Sequence, residues 1–263
     1  MSYAISYDGV KLYYKSVGKG EPLLLLAGQA CDHREWDRVA HDLGNHFEVI
    51  AWDYRGTGKS DKPISLPYST RGFASDAAAI LDTCGHPRAH VYGFSMGGRV
   101  AQWLAIDHGH RIGALVLGAT SPGNMHGVAR KPSVDKALSS GDMGALLLTS
   151  FTPSWIEAND ALSKEISTLW NRPLRPDVRQ LHYQASHQHD AWKFLPMISA
   201  PTLVLHGSED ELNPVANGVL LADNIPGARL TLLKGARHYY FEEFRAESAQ
   251  MVADFCQTHA IYR

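Results

Sequence analysis

Gly93-Phe94-Ser95-Met96-Gly97-Gly98 sets one serine between glycines in the pattern G-x-S-x-G. A serine held on a sharp turn between a strand and a helix needs small neighbours, because side chains there would clash. Such a turn presents the hydroxyl and opens backbone N–H groups toward a substrate at the helix N-terminus. The context fits: an apolar stretch over residues 89–92 precedes Ser95, and a helical pattern follows Met96. A glycine-rich turn that merely caps a helix would show the same pattern, so the serine needs partners.

A hydroxyl is a poor nucleophile until a base takes its proton, and imidazole has the pKa for that task. Of the 14 histidines, His238 in Gly235-Ala236-Arg237-His238-Tyr239 stands out by position, in a loop just after the strand-like residues 229–233. A carboxylate should hold its ring in one tautomer and stabilise the charged form. Asp210, in His206-Gly207-Ser208-Glu209-Asp210, follows the apolar residues 201–206, with Glu209 and Glu211 beside it as rival acids. The chain order Ser95, Asp210, His238 is a known order for such a triad.

Three segments so far apart need a scaffold that gathers loops at one end. Residues 23–27 form a continuous apolar run between Pro22 and Gly28, and residues 47–52, 89–94, 112–117 and 201–206 read as further strands. Such runs suit strands covered on both faces. Residues 10–17 alternate, and residues 229–233 read as a further strand. Between them, residues 36–43, 73–81, 96–108, 215–222 and 246–258 have helical spacing, with Gly85 closing the second like a helix C-cap. This alternation predicts an α/β fold, a mostly parallel sheet with helices on both faces. Residues 121–196 break the rhythm: they hold prolines, helix-like pieces over 143–148 and 160–170, and the bulky Phe151, Trp155, Trp170, Tyr183 and Trp192. They are read as a helical cap inserted into a core domain of residues 1–120 and 197–263.

The bulk composition, 44% hydrophobic and 20% charged over 263 residues, is that of an ordinary globular protein. A net charge of -2 with scattered cations argues against nucleic acid or an anionic membrane as partner. The three cysteines, Cys31, Cys84 and Cys256, are far apart and odd in number, so reduced thiols in a cytoplasmic protein are expected. The first nine residues lack a basic start and an apolar stretch, so no signal peptide is expected, and no run reaches the length of a membrane span.

Four blocks in order, residues 24–28, Asp53-Tyr54-Arg55-Gly56-Thr57-Gly58-Lys59-Ser60, the serine elbow, and the Asp210 and His238 segments, together resemble the α/β-hydrolase superfamily. The likeness is to its compact bacterial esterase, lactonase and C–C hydrolase branch, and it covers the chain outside the insertion. It implies the α/β-hydrolase fold, an eight-stranded, mostly parallel sheet under a helical cap. In that pattern the acid sits three residues after the strand-ending glycine, here Gly207, which selects Asp210. The alternative acid position after residues 112–117 offers Thr120, Ser121 and Asn124 but no carboxylate. An oxyanion hole needs two backbone donors, and losing one costs about 3 kcal/mol. The N–H of Met96 is one candidate, and by resemblance the N–H of Gln29 is the other. The chain departs from the family there, with Ala27-Gly28 in place of His-Gly. The Gln29 amide either touches substrate or faces solvent.

Asp53, Arg55, Gly56, Gly58 and Ser60 are read as a structural turn, with Arg55 pairing locally. His182, His187 and His189 with Asp190 match no zinc spacing and are read as surface residues of the insertion, so no metal is expected. Neither a dinucleotide loop nor a phosphate-binding lysine accompanies the glycines, so no cofactor is expected. Phe94, Trp155, Trp170 and Tyr239 are candidate walls of an apolar substrate pocket, and the tryptophans serve either there or in the insertion's own core.

The expected activity is a serine hydrolase that cleaves a small to medium carboxylic ester or lactone through an acyl-enzyme on Ser95. A C–C bond hydrolase or perhydrolase uses a similar triad. From other classes, a cofactor-free oxygenase and a ligand-binding receptor share the fold. A small-molecule substrate and a monomer or small homo-oligomer are expected.

Overall fold

The computed structural model describes residues 2–262. Eight strands, β1 (Ser2–Ile5), β2 (Lys11–Val17), β3 (Glu21–Leu26), β4 (Phe47–Trp52), β5 (Ala89–Phe94), β6 (Ile112–Gly118), β7 (Thr202–Gly207) and β8 (Arg229–Leu233), form one sheet. Their order is β1-β2-β4-β3-β5-β6-β7-β8. β1 with β2 and β2 with β4 are antiparallel; every other neighbouring pair is parallel. The continuous apolar runs become the central strands because only there are both faces covered. Leu23, Leu24, Leu25 and Leu26 of β3 are all fully buried, each side chain contributing about 2 kcal/mol.

Eleven α-helices are assigned among the described residues. The core helices are α1 (Asp37–Leu43), α2 (Thr70–Thr83), α3 (Met96–Asp107), then α9 (Ala216–Asn224), α10 (Tyr240–Glu243) and α11 (Arg245–Thr258). Between α3 and α9 lie α4 (Pro132–Ser139), α5 (Met143–Ser150), α6 (Pro153–Ala158), α7 (Asp160–Trp170) and α8 (Pro176–His187), all within residues 121–196. The crossover from β3 to β4 runs in the opposite direction along the sheet to those from β4 to β5 and β5 to β6. Right-handed crossovers therefore put α1 on one face and α2 and α3 on the other. Accordingly α1 packs with α11, and α2 with α3.

The central strands and the helices α1, α3, α9 and α11 lie within one or two residues of the expected ranges, and α2 begins three residues before its expected start. β1, α4, α6, α8 and α10 were not expected. β1 buries only Ala4 along an edge, and α10 is a single turn, so neither carries a readable period.

Two expectations are corrected. His182 and His189 are not surface residues but are buried. His182 Nε2 donates to the Arg55 carbonyl (3.0 Å), and the His189 ring bonds Thr70 Oγ1 at 2.9 Å. The reason is that α8 lies on the core rather than away from it. His187 and Asp190 are exposed as expected. Nor does Arg55 pair locally: its guanidinium bridges Asp76 of α2 (2.6 Å) and Asp8 (2.8 Å). That bridge ties the turn after β4 to two distant segments.

Glu242 in α10 is buried against α1, 3.1 Å from Arg38 Nε. Burial pushes its carboxyl up to about 7 despite Arg38 and Arg245. An acid whose folded pKa is raised stabilises the fold below its unfolded value and loses that contribution as pH rises through the folded one. Glu242→Gln, which mimics the neutral form, is therefore expected to melt above wild type at pH 8 and alongside it at pH 5. An equal difference at both pH values in thermal scans would count against this account.

Candidate active site

The elbow is built by close approach of backbones. A Cβ on Gly93 would lie 2.3 Å from the Gly97 carbonyl oxygen, and one on Gly97 only 2.0 Å from that of Leu26. Glycine at both positions lets β5 turn into α3 and lets the end of β3 lie against the start of α3. Ser95, at the turn, has φ 53° and ψ -117°, a region few side chains adopt. Its N–H donates to the Gly118 carbonyl (2.9 Å), and the Thr120 hydroxyl donates to its carbonyl (2.7 Å). The strained turn is thus held from β6.

Asp210 and His238 come from the loops after β7 and β8, which are parallel neighbours. The loops are joined by the Glu209 N–H donating to the Ala236 carbonyl (2.9 Å) and the Gly235 N–H donating to Ser208 Oγ (2.8 Å). His238 Nδ1 lies 2.7 Å from Asp210 Oδ2, and His238 Nε2 lies 3.2 Å from Ser95 Oγ. With Asp210 ionised, Nδ1–H donates, which leaves the Nε2 lone pair to accept the serine hydroxyl. Burial alone would raise the Asp210 carboxyl, but His238 and His206 hold it well below the usual carboxylate range. Glu209 and Glu211 are exposed, and Glu211 pairs with Lys131.

Asp210 has two further neighbours that sequence reasoning missed. The Asn213 N–H donates to its Oδ1 (2.8 Å), and the Asn213 side-chain amide donates to the Ala119 carbonyl at the end of β6 (2.7 Å). His206 Nε2 lies 3.2 Å from Asp210 Oδ2 and donates to the Asn213 carbonyl at 2.7 Å. The buried side chains of His206 and Asn213, close to Asp210 in the chain, therefore shape the acid's surroundings.

The loop after β3 lies beside the elbow. Gly28 accepts at its carbonyl from the Cys31 N–H (3.2 Å), with Ala30 at φ 61°. A trans peptide then points the Gln29 N–H the other way. Among the described residues, neither the Gln29 nor the Met96 N–H donates to a protein acceptor. The Gln29 side chain is exposed. Phe94 is buried beneath the histidine, its ring centroid 4.8 Å from that of His238.

Aromatic side chains of α6, α7 and the segment between α5 and α6 converge on Tyr239. Trp155 stacks on Phe151 at 4.3 Å, and Trp170 reaches Tyr239 at 4.8 Å. Phe151 is itself 5.5 Å from Tyr239. Trp192 lies elsewhere, stacked on His126 at 5.1 Å.

Asp32, His33 and Asp53 bring ligand-type atoms within 4.8 Å of one another. Their lone pairs are engaged by the protein, however. Asp53 accepts from the His33 ring at 2.6 Å and the Lys59 N–H at 2.7 Å, and Asp32 accepts from the Arg34 N–H at 3.0 Å. That donor set is a loop clasp rather than a vacant coordination sphere. No helix among the described residues is long and apolar enough to cross a membrane.

Residues 21–244 match the family model described as the alpha/beta hydrolase fold. A protein of Azorhizobium caulinodans provisionally named carbamate hydrolase RutD is 30% identical, over 97% of this chain and 98% of its own. The solved N-acyl homoserine lactone degrading enzyme Est816 is 30% identical with TM-score 0.83, over 97% of this chain and 100% of its own. The esterase RhEst1 from Rhodococcus sp. ECU1013 is 28% identical with TM-score 0.86, over 98% and 99% of the two chains.

Proposed function

We propose that this chain, which belongs to the alpha/beta hydrolase family, is a serine hydrolase acting on small to medium carboxylic esters or lactones. The observation that carries the reading is the relay from Asp210 through His238 to Ser95, at 2.7 Å and 3.2 Å. Ser95 Oγ attacks the carbonyl carbon while His238 Nε2 takes its proton. The N–H groups of Met96 and Gln29 hold the oxyanion, and His238 returns the proton to the leaving oxygen. Water, deprotonated by the same nitrogen, then displaces the acyl group from Ser95. Residues 121–196 act as a helical cap, and Trp155, Trp170, Tyr239 and Phe94 give the acyl side an apolar setting. A similarity to esterase RhEst1 and to a lactone-degrading enzyme supports this substrate class.

The relative with a carbamate hydrolase name favours a second reading, since a carbamate presents the same kind of acyl carbon to Ser95. The test is a panel of p-nitrophenyl esters of increasing acyl length, aliphatic and acyl homoserine lactones, and small carbamates, with fluorophosphonate labelling of Ser95. Ester or lactone turnover with Ser95 labelled is expected, and the chain-length profile sizes the pocket. Turnover confined to carbamates would replace the first reading with the second. Activity that survives loss of the Ser95 hydroxyl would remove both.

A further inference from the structure

One buried carboxylate near the site has no part in the relay. Glu35, in the short 3₁₀ turn His33–Trp36, is 5% exposed. Its Oε2 accepts from the Gly28 N–H at 2.6 Å, and its Oε1 accepts from the Tyr239 hydroxyl at 2.5 Å. The Cys31 thiol lies against the same carboxyl. Glu35 therefore spans the two loops that flank Ser95: the one carrying Gln29 and the one carrying His238.

We infer that Glu35 is a positioning residue that sets the peptide donating the Gln29 N–H to the oxyanion. This rests on the serine hydrolase reading above. The peptide in question follows Gly28 and has two anchors. The Cys31 N–H holds the Gly28 carbonyl (3.2 Å), and Glu35 holds the Gly28 N–H. With both ends of Gly28 tied, the plane of the next peptide is set before substrate arrives. Preorganised donors stabilise a developing charge because they need no reorientation during reaction. The arrangement is specific to an acceptor at position 35, since the Gly28 N–H is a donor and a Cβ at Gly28 would lie 3.2 Å from Glu35 Oε1. Burial lifts the Glu35 carboxyl above its ordinary range, against the bonds from Tyr239 and Gly28. One carboxyl that accepts from both loops couples the Gln29 loop to the loop of His238.

The experiment compares wild type, Glu35→Leu, which removes the acceptor, and the milder Glu35→Asp on one turned-over p-nitrophenyl ester. It measures kcat, KM, the inhibition constant of an arylboronic acid that forms a tetrahedral anionic adduct on Ser95, and thermal melting. Glu35→Leu is expected to lower kcat about 10- to 100-fold, below the full loss of a donor, with KM within about threefold. The boronate constant should weaken in proportion to kcat/KM across the three proteins, Glu35→Asp lying between the others. A purely structural role would lower the melting temperature or raise KM without that proportionality, and that result overturns the inference. So does a Glu35→Leu enzyme with kcat within threefold of wild type. Fluorophosphonate labelling separates the levels: an unlabelled Ser95 in wild type removes the hydrolase reading and this inference with it. A labelled Ser95 with an unaffected Glu35→Leu removes this inference alone.

Discussion

Replacing Ser95 with glycine is expected to abolish turnover and to raise the melting temperature. Loss of the nucleophile removes the covalent route and leaves only the oxyanion donors and binding, so kcat should fall by about 10⁴-fold or more. The gain in stability has a separate cause. Ser95 holds φ 53° and ψ -117°, a strained conformation that costs a non-glycine residue about 1–3 kcal/mol. Glycine relieves that strain but gains freedom when unfolded, at a cost of about 0.5–1 kcal/mol. The balance is about 1 kcal/mol in favour of the variant, or about 2–4 °C in a protein of this size. Ser95→Ala is expected to be equally inactive but to melt near wild type, because alanine keeps the strain. A melting temperature for Ser95→Gly below that of Ser95→Ala would refute the strain argument and leave the chemistry untouched.

Asp210→Asn is expected to cost about 10⁴-fold in kcat with little change in KM, the scale known when such an acid loses its charge. The geometry says how. The Asn213 N–H donates to Oδ1, so the amide oxygen of the variant stays there and its NH₂ faces His238 Nδ1. That nitrogen must then accept, the ring carries its hydrogen on Nε2, and it can no longer take the proton of Ser95. The same NH₂ also opposes His206 Nε2–H, which lies 3.2 Å from Oδ2. Glu209→Gln and Glu211→Gln, both exposed, are expected to keep kcat within about threefold. A large loss in either, with Asp210→Asn active, would move the acid's role to the neighbour. In pH profiles, the carboxyl of Asp210 lies well below the usual range. The activity profile is therefore expected to show no step from Asp210 in the ordinary carboxylate range.

The sequence alone determined the central strands, the helices between them and the three segments brought together at Ser95. Those requirements are local: a doubly covered strand needs consecutive apolar residues, and an elbow needs glycine two residues either side of the serine. Gly93 and Gly97 are legible for that reason, since any side chain there meets backbone within about 2.3 Å or less. Asp210 was preferred to its neighbours on a family pattern, and in the structure its side chain is buried while Glu209 and Glu211 are exposed. The edge strand β1 and the single-turn α10 were not, since neither has a period to read. What only the tertiary structure decided lies between segments distant in the chain. Tyr239 meets Glu35 across 204 residues, and Arg55 meets Asp8 across 47. The burial of His182 and His189 depends on how α8 settles on the core, and its mixed polar sequence does not announce a buried face. A sequence records which side chains are able to donate, accept or pack. Only the closing of parallel strands into one sheet, and of the helical segment over it, decides which of them meet.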